Sequence, residues 1–367
     1  MFTNQNKISD HSYFMSLALW QAQKNLGNTK TNPSVGCVIV KNNCVISAGA
    51  TGINGRPHAE SKAINVSKND VKKSNLYVTL EPCSHYGKTP PCVNKIIKKR
   101  IKSVFFSVHD PDIRSFNKSS KLFKKNGINI NIGINSKKIR DFYKSYFLYK
   151  EKKLPFVTLK LAVSKDFKTI NKKKKWITNT YSRSRVHLMR SSYDCVVTSS
   201  NTIIKDNPLL NCRIKGLESN SPTRIILDKD LNIPTYSKII NDDQNKRTII
   251  FYNKINYKKI KFLKKKKVQL IKSTLNFNNH LNLVEVLTKI KNLGFSRVFL
   301  ECGEVLATSF LKNNLVNDLK LFISNDRLNK NGSASIKKYF KTFLKKKKFI
   351  VEKVNLSGEK LISYKIK

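Results

Sequence analysis

An imidazole, a carboxylate and two thiols stand between positions 58 and 92: His58, Glu60, Cys83 and Cys92. One imidazole and two thiols can hold a zinc ion at three points and leave a fourth position to water, which distinguishes a catalytic zinc from a structural one. Glu60 lies two residues from His58, near enough to reach that water and poorly suited to be a fourth ligand. Zinc lowers the pKa of bound water, and a neighbouring carboxylate can then move its protons. A lone Cys or His is usually a packed side chain. Four such residues in this order, with Pro82 and Pro91 each directly before a Cys, form a pattern with a mechanism. A zinc held only for structure would have no use for Glu60.

The elements that must position this set surround it. Ser12 to Asn25 has the spacing of a helix, with Phe14, Leu17, Ala18, Trp20 and Ala22 on its apolar face and Ser9 or Asp10 as its cap. Two apolar runs between Gly36 and Ile46 flank Lys41-Asn42-Asn43 and predict a hairpin. After Pro57, His58 opens a helix over Ala59 to Val66. Leu76 to Leu80 is a buried strand, Pro82-Cys83 begins the next helix, and Val104 to Val108 is another strand. This order predicts a three-layer α/β/α domain with zinc ligands on two helix N-termini, whose partial positive charge favours thiolates. A helix near Lys118 to Asn126, a strand at Ile128 to Ile132 and one helix around Lys137 to Tyr149 complete it. Glu151-Lys152-Lys153-Leu154-Pro155 is the expected linker, which divides the chain into domains 1–150 and 151–367.

Beyond the linker, strands and helices alternate through Phe156 to Val163, Cys195 to Ser199, Arg224 to Leu227, Thr248 to Tyr252, Val268 to Leu270, Leu283 to Leu293, Val298 to Leu300 and Leu319 to Ile323. This predicts a second α/β domain around a largely parallel sheet. No GxGxxG fingerprint is present, so a Rossmann nucleotide site is not supported. Thr202 and Asp206 to Arg213 form a polar loop after a buried strand. Glu301-Cys302-Gly303 follows Val298 to Leu300, at the carboxyl end of a strand, where sites often lie. On residue types alone these fragments are ordinary loops. Lys254 to Lys267 is Lys-rich and carries no motif.

Composition bounds the rest. At 367 residues the chain exceeds one typical domain. No secretory leader and no run of ~20 apolar residues is evident, so neither export nor a membrane partner is expected. The seven Cys are scattered, which suggests a reducing cytoplasm rather than a disulfide framework. Cys37, Cys44 and Cys195 lie in apolar runs and are expected to be buried thiols. The formal charge of +49 raises a nucleic-acid partner. About 60 of the 72 basic residues are Lys, however, and Asn and Ile are abundant too. All three have A/T-rich codons, so base bias accounts for the excess. The runs 172–175, 264–267 and 345–348 lack interleaved aromatics or Arg and fit solvated turns or helix faces. Nonspecific RNA adhesion at low salt is expected, without a specific nucleic-acid partner.

His-x-Glu followed by a Pro-Cys pair is the zinc deaminase pattern. Deaminases that edit nucleic acid bases separate the two Cys by two residues, whereas Ser84-His85-Tyr86-Gly87-Lys88-Thr89-Pro90-Pro91 is an insert of eight. The stretch from Thr79-Leu80-Glu81-Pro82-Cys83 through this insert to Cys92 closely resembles the bifunctional deaminase/reductase family of riboflavin biosynthesis. So does Asn32-Pro33-Ser34-Val35-Gly36-Cys37-Val38-Ile39-Val40. Lys160 to Asp166, Trp176-Ile177-Thr178, His187 to Arg190, Thr202 to Arg213 and Glu301 to Leu311 resemble the reductase half of that family. The resemblance covers nearly the whole chain. It implies a cytidine-deaminase-like three-layer α/β/α domain followed by a dihydrofolate-reductase-like α/β domain. The first would hold one Zn2+ through His58, Cys83 and Cys92 and deaminate a diaminopyrimidinone ribosyl phosphate, with Glu60 shuttling the proton. The second would use NADPH to reduce the ribosyl group to ribityl. Ala162, Trp176, Thr202, Asp206 and Gly303 would then line the NADPH site, and Lys174, Arg190, Leu210, Arg213 and Glu301 the substrate site. Arg190 and Arg213 suit a phosphate, which a guanidinium matches by paired hydrogen bonds. In the first domain Asn32 is expected at the ring edge, and His85 and Lys88 at the substrate, Lys88 at its phosphate.

The chain departs from the family in places. Thr51 stands where a His is common, and Asn117-Lys118-Ser119 replaces glycines after Asp110-Pro111. Phe167 replaces a Gly after Ser164-Lys165-Asp166, and the loop from there to Trp176 is shortened. Lys174 stands where a substrate-binding Ser is expected, and Asn207 replaces an Asp beside Asp206. Two other classes fit the sequence less well. A nucleic-acid base deaminase with a basic C-terminal module would need the short Cys spacing and Arg or aromatic residues among the charges. A zinc-stabilised binding protein would not need Glu60. Homo-oligomer formation is left open.

Overall fold

Neighbouring residues of a strand face opposite sides of a sheet, and in the first half of the chain both sides are claimed by helices. The computed structural model describes residues 10–68, 70–151, 154–242, 248–335, 340 and 343–367. The chain divides into two compact units, Met1–Lys153 and Leu154–Lys367.

In the first unit β1 (Gly36–Lys41) and β2 (Cys44–Ala50) form the expected hairpin. Its turn residues Asn42 and Asn43 have φ of 50° and 62°, the left-handed pair that a two-residue hairpin loop demands. β3 (Asn75–Leu80), β4 (Ser103–Val108) and β5 (Asn129–Ile132) extend the sheet in the order β2-β1-β3-β4-β5. β3, β4 and β5 run parallel, while β1 is antiparallel to β2 and β3. α1 (Asp10–Gln23) lies so close to β1 that a Cβ at Gly36 would fall 1.8 Å from the Ala18 carbonyl oxygen. α2 (Ala59–Val66) covers the opposite face, where Gly49, the partner of Cys37, meets Ala59 and Ala63. The result is the three-layer arrangement, with Leu76, Val78, Val104 and Phe106 buried inside it.

Several local expectations change. No helix begins at Pro82-Cys83; α3 (Cys92–Lys98) begins at the second thiol. Thr89 and Pro90 each precede a proline, which disfavours helical backbone, so a helix can start only after Pro91. The helix expected around Lys137 to Tyr149 is two, α5 (Ser136–Phe142) and α6 (Lys144–Glu151), after α4 (Lys118–Lys125). Tyr143 stands at the break and is buried. α1 ends at Gln23, and Asp10 is its first residue rather than its cap; Ser9 lies outside the described residues. Cys44 is exposed, because it follows directly on the hairpin turn. Lys152 and Lys153 of the expected linker also lie outside the described residues.

The second unit is built on nine strands in the order β11-β10-β9-β8-β12-β6-β13-β16-β15. These are β6 (Phe156–Val163), β8 (Cys195–Ser199), β9 (Thr223–Leu227), β10 (Thr248–Tyr252), β11 (Gln269–Lys272), β12 (Arg297–Glu301), β13 (Asp318–Ile323), β15 (Phe349–Val351) and β16 (Lys360–Lys365). β11 through β13 run parallel, and β16 and β15 close the edge antiparallel. β7 (Lys168–Asn171) and β14 (Gly332–Ser335) pair separately. α7 (Thr180–Arg190), α8 (Ser200–Asp206) and α9 (Tyr257–Lys265) share one core with Val196, Ile226, Ile250, Phe299 and Phe322. α10 (Leu283–Asn292) and α11 (Glu304–Lys312) pack on the other face over Val157, Leu159, Val298 and Leu300. Two readings shift here. Thr202 lies within α8 rather than in a loop, since Ser199 accepts its N–H and caps the helix. The motif-free stretch from Lys254 to Lys267 contains α9, capped by Asn256 and packed through Leu263.

Candidate functional site

His58 is the residue before α2, Cys92 is the first residue of α3, and Cys83 lies in the loop leaving β3. His58 Nδ1 is 3.5 Å from Cys83 Sγ and 3.4 Å from Cys92 Sγ, and the three atoms lie within 4.8 Å of one another. Zinc–sulfur bonds of about 2.3 Å and zinc–nitrogen bonds of about 2.0 Å, set at the tetrahedral angle, hold N and S about 3.5 Å apart. Donor types and spacing therefore both fit zinc. The Cys92 N–H donates to Cys83 Sγ at 3.3 Å, and the Val93 N–H to the Cys83 carbonyl at 3.2 Å. These bonds pin the start of α3 to the Cys83 loop. The Cys92 thiol's hydrogen bond, aided by His58, pulls Cys83 down to about 4 against the effect of burial. Sharing that bond and burial push Cys92 up. Glu60 sits in the first turn of α2, only 4% exposed, and burial followed by the Cys83 charge raises its carboxyl to about 7. A buried acid of that kind is suited to hold a proton near neutral pH.

The loops around this cluster are braced by polar side-chain contacts. Asn32 Nδ2 donates to the Gly55 carbonyl at 3.0 Å. Gly55 has φ +86°, and a Cβ there would fall 2.3 Å from Asn32 Nδ2, so both backbone and space require glycine. His85 Nδ1 is 2.9 Å from Ser115 Oγ. Lys88 is exposed. Thr51, the residue in place of a common His, is buried and accepts the Val35 N–H at 2.9 Å, which commits it to the backbone.

Residue patterns did not disclose Glu81, Tyr143 or Arg56. Glu81 is buried, lies 2.9 Å from His109 Nδ1, and accepts the backbone N–H groups of Asn117 and Ser119 and the Ser119 hydroxyl. Asn117 has φ 55°, so it occupies the left-handed conformation expected of the missing glycine, which Asn tolerates better than most residues. The Tyr143 hydroxyl pairs with Thr79 Oγ1 at 2.6 Å and donates to the Ser34 carbonyl at 3.1 Å, joining the Asn32-Pro33-Ser34 loop to β3. A carboxylate ending an apolar strand was a usable signal for Glu81. No periodicity marks Tyr143, whose position depends on a helix break.

In the second unit β8, β12 and β6 are adjacent and parallel, so their carboxyl ends lie side by side. That edge gathers Thr202 in α8 after β8, Glu301 and Gly303 at the end of β12, and Ala162 near the end of β6. Gly303 caps α11 without a side-chain bond, and a Cβ there would meet nothing within 4 Å. An open helix N-terminus with free space before it fits the phosphates of a dinucleotide. Arg190, the last residue of α7, meets Glu301 through Nε at 2.5 Å and Nη2 at 3.0 Å, and its Nη1 donates to the Asn211 carbonyl at 2.9 Å. The guanidinium expected at a phosphate is thus committed to a carboxylate. Arg213 Nη2 lies 3.1 Å from His187 Nε2. Burial, then the Arg190 charge, lowers His187 to about 4. Burial would raise Glu301, but Arg190 holds it below the ordinary carboxylate value. Lys160 pairs in register with Glu301, and burial pushes its ammonium down. A lysine within the apolar strand Phe156–Val163 was a signal for this position. Leu210 is buried with φ 53°. Asp206 and Lys174 are exposed, and Trp176 lies 5.1 Å beneath the Arg183 guanidinium. Among the described residues none of these three bonds to the Arg190–Glu301 pair.

A zinc-type donor triad with a buried acid, on a three-layer α/β/α unit, defines a hydrolytic deaminase. The following α/β unit, with its open helix end at parallel strand termini, is of the reductase type. Residues 8–108 match the cytidine and deoxycytidylate deaminase zinc-binding region, and residues 155–325 match the RibD C-terminal domain. The riboflavin biosynthesis protein RibD of Aquifex aeolicus is 36% identical over 313 residues, which cover 85% of this chain and 86% of that protein. The solved structure of Acinetobacter baumannii RibD superposes with a TM-score of 0.84 at 27% identity, covering 98% of this chain and 99% of that one. A Thermotoga maritima structure described as a diaminohydroxyphosphoribosylaminopyrimidine deaminase/5-amino-6-(5-phosphoribosylamino)uracil reductase gives 0.81 at 28% identity, covering 97% and 98%. The chain belongs to the RibD family of riboflavin biosynthesis: it is a bifunctional enzyme, a deaminase joined to a reductase, with Zn2+ and NADPH as cofactors. No helix among the described residues is long and apolar enough to cross a membrane.

Proposed function

We propose that residues 1–150 remove ammonia from a diaminopyrimidinone ribosyl phosphate and that residues 151–367 then reduce its ribosyl group to ribityl. The observation that carries this reading is the convergence of His58, Cys83 and Cys92 beside the buried acid Glu60. His58, Cys83 and Cys92 are the ligands of one zinc ion. Zinc, when bound there, supplies a Lewis acid that acidifies water. Glu60 takes a proton from the attacking water and returns it to the leaving amino group, a role its raised carboxyl suits. Asn32, held by Gly55, orients the ring edge, and His85 and Lys88 meet the ribosyl phosphate.

NADPH, when bound in the second domain, would supply the hydride. Ala162, Thr202 and Gly303 line its site on the strand-end edge, joined by Trp176 and Asp206 from the neighbouring segments. Glu301 fixes Arg190, and Arg190, Leu210 and Arg213 shape the substrate side, with Lys174 approaching as a point charge. The substrate is a small molecule. The described cysteines are all free, which supports a cytoplasmic setting.

The test is incubation of the purified chain with the diaminopyrimidinone ribosyl phosphate, with and without NADPH, followed by mass analysis. Ammonia loss without NADPH and reduction only with it are expected. Metal analysis of Cys83→Ala should show loss of the zinc; full retention would overturn the ligand assignment.

A further inference from the structure

Arg56 is a cation of the first unit to which the reading above gives no task. Its Nη1 lies 3.3 Å from His58 Nε2 and donates to the Thr89 hydroxyl. A Cβ added at Gly87 would lie 3.6 Å from its Nη2. The guanidinium therefore lies between the ligand histidine and the eight-residue insert, against Gly87 and Thr89, the two residues that flank Lys88. Arg56 forms no salt bridge among the described residues, and neither does Lys88. When His58 binds a metal through Nδ1, its Nε2 carries hydrogen and cannot accept from Arg56. Among the described residues the Thr89 hydroxyl is then the acceptor that remains to it, and most of the five guanidinium donors are left over. A partly buried guanidinium without a carboxylate, next to an exposed lysine, is a group prepared for an anion.

We infer that Arg56 receives the phosphate of the deaminase substrate together with Lys88, and so determines the preference of this site for a phosphorylated compound. The inference rests on the deaminase reading. The contact with Thr89 places the guanidinium against the residue that follows Lys88 in the insert.

The experiment compares the wild type with Arg56→Gln and Arg56→Lys on the diaminopyrimidinone ribosyl phosphate and on its dephosphorylated nucleoside. Arg56→Gln should raise KM for the phosphorylated compound roughly ten- to hundredfold, as for loss of a hydrogen bond to a charged group, while kcat, zinc content and KM for the nucleoside stay unchanged. Arg56→Lys should recover part of the loss. An equal rise in KM for both compounds, or a fall in kcat or zinc content at constant KM, would overturn the inference and make Arg56 a brace for His58 and the insert. Wild type inactive on both compounds would overturn the deaminase reading instead. Titration with ribose 5-phosphate then decides Arg56 separately: loss of one binding site in Arg56→Gln upholds the inference, and unchanged binding overturns it.

Discussion

The two sites of this chain are assembled in opposite ways. The zinc-type cluster draws its four groups from residues 58 to 92, and its donor atoms already face one another at ligand spacing. The candidate reductase site draws on Ala162, Arg190, Thr202, Glu301 and Gly303, far apart in sequence and joined only because β8, β12 and β6 are neighbours in the sheet. The first is a local site with remote braces. The second is a product of topology, and its charges satisfy each other, as the bidentate Arg190–Glu301 pair does. A local site can be altered without touching the sheet, whereas a topological site shares its residues with the structure that makes it.

The largest effect should come from the local site. Glu60→Gln keeps the side chain's shape and should retain zinc while deamination falls by roughly two to four orders of magnitude, as for a lost general acid–base. NADPH oxidation with pre-deaminated substrate should be untouched. A mutant that deaminates near the wild-type rate would remove Glu60 from proton transfer; one that also loses reduction would break the separation of the two sites.

Glu301→Ala tests the opposite case, a residue proposed to serve site and fold together. Removing one partner of a buried ion pair costs about 3–5 kcal/mol, because Arg190 is left uncompensated. Denaturant unfolding should show the second unit destabilised by an amount of that order, and reduction should be lost while deamination persists. Unchanged stability would mean that Arg190 finds other partners and that the pair is no part of the fold.

Much of the first site was legible because its signal is short-range. The spacing of His58, Glu60, Cys83 and Cys92, the helix at Ala59 to Val66 and the Asn42-Asn43 turn all follow from residues close in sequence. At α3 the sequence misleads: Pro82 resembles a helix opener, while Pro90 and Pro91 decide where the helix can begin. In the second unit the parallel strands were visible as apolar runs, but their order was not. The pairing of Arg190 with Glu301, and of β15 and β16 with the sheet edge, depends on that order. A single arginine between Gly55 and Pro57 has no period, so no sequence pattern marks Arg56.

A smaller effect should show how far the local site relies on its braces. Tyr143→Phe removes the hydroxyl that joins Thr79 to the Ser34 carbonyl and leaves a buried acceptor unpaired, a loss of about 1–3 kcal/mol. Zinc should be retained, and KM for deamination should rise several-fold as the Asn32 loop loosens, without change in reduction. Unfolding by denaturant and steady-state kinetics check both parts. An unchanged KM with lowered stability would confine Tyr143 to the core.

The smallest effect concerns Phe167, where the family pattern has glycine. Its φ is 63°, and its N–H donates to the Ser164 carbonyl at 2.9 Å, closing the turn between β6 and β7. For a residue with a Cβ this left-handed conformation costs roughly 1–2 kcal/mol. The phenylalanine offsets part of that strain by packing against the core of the second unit. Phe167→Gly removes the strain, but it also gives up the packing and adds about 0.5–1 kcal/mol of backbone entropy cost. These contributions nearly cancel, so stability should change by about 1 kcal/mol or less. Phe167→Ala loses most of the packing and keeps the strain. The alanine variant should therefore be less stable than the glycine variant, by about 1 kcal/mol. Denaturant midpoints of the two variants measured side by side isolate the backbone contribution, since neither retains the ring. If alanine proves more stable than glycine by about 0.5–1 kcal/mol, the turn relaxes to negative φ and the departure at Phe167 carries no strain. If glycine is the more stable and reduction stays intact in both, Phe167 changes how the turn is held without changing the site that topology assembles.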